Sequence, residues 1–131
     1  MKVPLGTFPP EPSAYTESAT FSSPGGSAEL CARYERDGSI FSGGIAFTRV
    51  RAYRFRAEGH CTSWHTDGSY DELVEVVPSE WVAELVAAEP AGSWGQWVVR
   101  HFLIFIDSVG AFEVAAESHS WLPERAAATR Q

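Results

Sequence analysis

The chain has 131 residues, 44% of them hydrophobic and 13% aromatic, and a formal charge of −7. This composition excludes wholesale disorder, and no apolar run approaches the roughly 20 residues of a bilayer-spanning helix. A domain of this length hides roughly two thirds of its unfolded surface, so its core needs no metal or disulfide staple; Cys31 and Cys61 are expected as free thiols.

The start, Met1-Lys2-Val3-Pro4-Leu5-Gly6, lacks the apolar centre of a signal peptide, so a cytoplasmic protein is expected. Five of the eight prolines fall within the first 24 residues. Residues 1–27 therefore read as a Pro/Ser/Gly-rich arm with one edge strand near 15–21, ahead of the turn Pro24-Gly25-Gly26. Residues 28–122 form the expected compact domain, and 123–131 a frayed tail. Residues 28–35 and 39–47 read as strands joined by the hairpin turn Asp37-Gly38. Along 47–57 the apolar positions are first even (Ala46, Val50, Ala52) and then odd (Tyr53, Phe55, Ala57). A strict two-residue period cannot send both sets to one core, so a bulge or kink is expected near Ala52–Tyr53.

Residues 70–77 are a further strand candidate. Ser79 can cap a helix in which Trp81, Leu85 and Ala88 recur at helical spacing, ended by Pro90 and Gly92. Residues 98–106 are apolar on both faces, as in a central strand, and Asp107-Ser108-Val109-Gly110 signals a tight turn. With Gly110 as a left-handed bulge residue, Asp107 would face Ala111. Ile106 would then meet Phe112, Phe105 would meet Glu113, and His101 would meet Glu117. The expected class is α+β: a curved antiparallel sheet with one helix packed on it.

Charge is segregated. Arg49, Arg51, Arg54 and Arg56 lie on one strand, whereas the 43 residues from 57 to 99 contain eight acids and no Lys or Arg. The net charge argues against nucleic acid as the main partner. Acids such as Glu80 and Glu84, with Trp81 and Trp94 as aromatic anchors, suit a basic protein surface. The arginines suit an anion, or pairing with acids on neighbouring strands.

Three groups could carry chemistry. His60, Cys61 and His65 are donor types that zinc accepts, although their spacing matches no standard zinc module. Cys61 beside a histidine is also a candidate nucleophile. His101 opposite Glu117 would give a carboxylate-oriented imidazole suited to acid–base work, or a structural hydrogen-bonded pair. No phosphate loop, nucleophile elbow or EF-hand is present, and no cofactor is implied. Trp94 and Trp97 flank Gly95-Gln96 and are candidates for an exposed aromatic patch.

The run from Arg100 through Asp107-Ser108-Val109-Gly110 to Glu117-Ser118, with Arg54-Phe55-Arg56-Ala57-Glu58 and Trp64-His65 before it, resembles small uncharacterised bacterial proteins. The resemblance implies a bacterial origin and a single domain, and it assigns no site. The leading functional expectation is a non-enzymatic, immunity- or antitoxin-like module that binds a basic protein through its acidic surface. The alternative is a small enzyme or ligand-binding domain with a sheet pocket lined by His101, Glu117 and the arginines. Metal binding at His60, Cys61 and His65 is the third.

Overall fold

The computed structural model describes residues 1–10, 14–15, 19–89 and 98–126. Eight strands occur in chain order: β1 (Lys2–Thr7), β2 (Ala14–Tyr15), β3 (Thr20–Ser22), β4 (Ser27–Arg36), β5 (Ser39–Ala57), β6 (Glu72–Val76), β7 (Arg100–Ile106) and β8 (Gly110–Ala126). Between β5 and β6 lie a 3-10 turn, Glu58–His60, and the one-turn helix α1 (Ser63–Thr66); α2 (Glu80–Ala88) lies between β6 and β7. All the strand pairings are antiparallel, in the order β1-β6-β7-β8-β5-β4-β2, with β3 also on β4. The sheet stays open.

The protein is therefore mostly β rather than α+β. The nine-residue α2 buries none of its residues, so it decorates the sheet instead of completing a helix layer. Its start is as expected: Ser79 Oγ accepts the Val82 N–H at 3.0 Å. The expected stop at Pro90 and Gly92 lies outside the described residues. Among the described residues, no helix is long and apolar enough to cross a membrane.

Alternation on β7 and β8 sorts side chains onto two faces. On one face Phe102, Ile104, Ile106, Phe112, Val114 and Ala116 join Leu30, Tyr34, Ile45, Phe47 and Leu73 in the main core. On the other, Val74, Leu103, Phe105 and Ala111 form a smaller cluster with Cys61 and Val76 against it. The 3-10 turn, α1 and α2 contact this second face.

The arm expected at 1–27 joins the sheet. β1 pairs with β6, and Phe8 is buried in the main core with its ring edge-on to Tyr34 at 5.9 Å. Proline density hid this strand, because an edge strand tolerates Pro4 where a central one would not. The edge strand expected near 15–21 is split into β2 and β3. Of the expected tail, Pro123 to Ala126 continue β8, and Glu124 accepts hydrogen bonds from Tyr34 and Arg36.

The irregularity on β5 is present slightly before its expected place. Its register against β8 shifts between Val50 and Ala52, and Arg49 adopts a left-handed φ of 53°. Asp37 and Gly38 both have positive φ, as a two-residue hairpin turn requires.

The last hairpin departs from the expected register. Ile106 pairs with Gly110, Leu103 with Glu113 and His101 with Ala115, a slip of two residues along β8. The left-handed turn residue is Ser108 (φ 65°), not Gly110. Gly110 is needed for another reason: at φ 144° a Cβ there would land on the Arg56 carbonyl oxygen of the neighbouring strand. The glycine belongs to the contact between β8 and β5 rather than to the turn.

Candidate functional site

A slip of two residues keeps every side chain on its face and changes only its neighbour. His101 thus keeps its expected face, which is the one the helices contact, but its carboxylate partner is Glu113, diagonal to it across the ladder. Glu117 lies further along β8 and meets Arg49 at 3.5 Å. The expected pair of His101 and Glu117 is not formed.

His101 and Glu113 are 3% and 5% exposed. His101 Nε2 donates to Glu113 Oε1 at 2.7 Å, and Nδ1 accepts the Ser79 hydroxyl at 2.8 Å. An ionised carboxylate offers only acceptors, so this imidazole tautomer satisfies the whole chain, from Val82 N–H through Ser79 and His101 to Glu113. Arg54 grips the same carboxylate side-on: Nε donates to Oε2 at 2.9 Å and Nη2 to Oε1 at 3.0 Å. Burial alone would push the Glu113 carboxyl up. The hydrogen bonds from His101 and Arg54, with the Arg54 charge, outweigh burial and hold it down at about 2.

Trp81 completes the arrangement. Its ring lies 4.2 Å from the Arg54 guanidinium carbon and edge-on to His101 at 4.9 Å. The aromatic anchor expected for a protein partner is thus engaged within the chain. Four elements bring the five residues together: Arg54 from β5, Ser79 at the cap of α2 with Trp81 within it, His101 from β7 and Glu113 from β8.

Beside it opens a hollow of about 400 Å3, lined by Arg54, Phe55, Arg56, Trp64, His65 and Glu113. Trp64 is 42% exposed, whereas the Phe55 ring turns to the main-core face, 4.8 Å from Phe112. The Lys2 ammonium stands 4.9 Å from the Trp64 ring and donates to the Trp64 and Asp67 carbonyls and to Ser69 Oγ, pinning α1 to β1. His65 Nδ1 accepts the Thr62 N–H at 2.9 Å. Burial pushes the His65 pKa down, and Arg56, Lys2 and Arg54 add to this against the opposing pull of Glu113. His65 is therefore neutral near pH 7.

The other expected residues are dispersed. The Cys61 thiol donates toward the Arg56 and Ala57 carbonyls at 3.3 and 3.5 Å, and no hydrogen bond among the described residues joins it to a histidine. His60 is exposed while His65 is buried. Among the described residues, no three His, Cys, Asp or Glu side chains gather as metal ligands, so His60, Cys61 and His65 do not form the expected donor set. The arginine strip is divided: Arg49 turns to Glu117, Arg54 to Glu113, and Arg56 Nη1 to the His60 carbonyl at 3.5 Å, while Arg51 sits at the register shift.

Half of the eight acids in 57–99 have partners inside the chain. Glu58 accepts from Ser108 N, Asp71 from Asp107 N, Glu72 from Thr7, and Glu75 meets Arg100 at 3.4 Å. Glu80 and Glu84 are exposed. Trp94 and Trp97 lie outside the described residues.

Glu113 and Ser79 were missed as site residues. The available signal for Glu113 was its place as the one acid within the apolar run from Ala111 to Ala116. Such an acid is ordinarily paired. Ser79 gave no such signal, because its second bond, to His101, spans 22 positions. Comparison with protein-family models, curated proteins and solved structures finds no match, so the site is read from its own chemistry.

Proposed function

We propose that the protein is a small-ligand-binding domain whose site is the hollow over the second face of the sheet. The observation that carries this reading is the state of Arg54. Glu113 fixes one edge of its guanidinium and Trp81 covers a face, while the group also lines the hollow. A side chain ordered before a ligand arrives loses little conformational freedom on binding, which is how a polar group in a pocket contributes affinity. Aromatic walls with a few convergent polar groups are the usual make-up of such sites. The volume suits a molecule of modest size.

The alternative of an acidic protein-docking surface draws less support. Trp81 is committed to Arg54 and His101, and four of the eight acids are engaged within the chain. Catalysis at His101 also draws less, because the imidazole is nearly enclosed and both ring nitrogens are satisfied by protein groups.

A fragment screen followed through backbone amide resonances tests the reading. Hits should shift Arg54, Arg56, Trp64, His65 and Glu113 together, and Arg56→Ala with Trp64→Ala should remove them. Hits that shift only other regions, or that survive both substitutions, would refute it.

A further inference from the structure

We infer that the hollow selects a planar monoanion, an aromatic carboxylate, received by the open end of the Arg54 guanidinium and by the Trp64 ring. This deepens the ligand-binding reading and rests on it. The argument counts donors and charges. A guanidinium has five N–H groups in a rigid fork. Glu113 takes the Nε hydrogen and one from Nη2. No other hydrogen bond of Arg54 occurs among the described residues, so the two hydrogens of Nη1 and the second of Nη2 are left. That remaining pair of edges forms the end-on fork, whose spacing matches the two oxygens of a carboxylate.

Trp81 against one guanidinium face and Glu113 along its side hold the fork in place. The competing cation cannot take over its role. Lys2 already donates to two carbonyls and a hydroxyl, so it adds field without adding a free donor.

Charge sets the valence of the ligand. Among the lining residues Arg54 and Arg56 are positive, Glu113 is ionised and His65 is neutral, and the neighbouring Lys2 is offset by Asp67, leaving one net positive charge. One negative charge on a ligand balances the site, whereas a dianion would leave a surplus near the Glu113 carboxylate. The body of the ligand is set by the walls. Trp64 keeps 42% of its surface open beside the arginines, where a flat ring can cover it.

Benzoate, benzamide, acetate and inorganic phosphate serve as probes, each titrated against the full chain and followed by amide shifts and calorimetry. Benzoate should bind tightest and shift Arg54, Trp64 and His65. Arg54→Lys keeps the charge but loses the fork, and should weaken benzoate about tenfold or more. Trp64→Ala, at a position 42% exposed, should weaken benzoate several-fold and leave acetate unchanged. Benzamide equal to benzoate, phosphate tighter than benzoate, or indifference to Arg54→Lys would each overturn the monoanion assignment. If fragments reach the hollow while benzoate does not, the assignment falls and the ligand site stands. If nothing binds there, both fall.

Discussion

Replacing Glu113 by glutamine should change the stability of the fold within one defined pH window. The carboxyl is almost wholly buried, yet its partners hold it at about 2 instead of 4.5. At about 1.4 kcal/mol per unit, that displacement corresponds to about 3 kcal/mol in favour of the folded state. The Arg54 side chain is 49% exposed, so water screens part of its attraction, and ~2 kcal/mol is the working expectation. The folded value lies below the unfolded one. The stabilisation is therefore complete above about 4.5 and is lost as pH falls from there through about 2. Urea unfolding of the wild type and Glu113→Gln, from neutrality down to about pH 2, reads the difference directly. Carboxylates common to both proteins, including the Arg36-paired Glu124, cancel in the comparison. The gap in unfolding free energy should be constant above the window and narrow by ~2 kcal/mol through it. A gap unchanged across the window would mean that His101 and Arg54 do not hold Glu113 ionised, and the account of the site would fail with it.

Gly110→Ala should destabilise the protein by about 2–3 kcal/mol, because its φ and the nearby Arg56 carbonyl both oppose a Cβ. Gly59→Ala, where a Cβ meets open space, should change stability by less than about 0.5 kcal/mol; denaturant midpoints separate the two, and equal costs would refute the close-approach argument. Ser79→Ala removes the α2 cap and the donor to His101 Nδ1, and should cost about 1–2 kcal/mol. Hydrogen exchange should then quicken at Val82 and the first turn of α2 while β7 and β8 stay protected; unchanged exchange at Val82 would count against the cap.

The features legible in the sequence were those decided by near neighbours. The Asp37-Gly38 turn needs positive φ at both residues, and the Ser79 cap needs only the N–H three positions on. The switch of apolar parity along β5 was legible for the same reason, since a bulge leaves its mark in the residues on either side. Features decided by distant neighbours were not. β1 is a strand because β6 offers it a ladder, and nothing in its proline-containing sequence carries that information. The minor role of α2 depends equally on what lies beneath it, because its periodicity is the same on a full helix layer or alone on a sheet.

The last hairpin divides the two kinds of information within one element. Alternation correctly assigns His101 to the face with Leu103 and Phe105, because side-chain parity is a property of the strand alone. The identity of its partner depends on the turn, and the turn on whether Gly110 serves the loop or the Arg56 carbonyl of the neighbouring strand. A slip of two residues preserved the face and exchanged the partly exposed Glu117 for the buried Glu113. That exchange has a chemical consequence. A carboxylate at the rim would have oriented His101 for proton transfer at the surface, whereas the buried one also seizes Arg54 and turns the remaining edge of its guanidinium into the group on which the proposed ligand site depends. The acid embedded in an apolar run thus carries more weight for the site than the histidine that first drew attention to it.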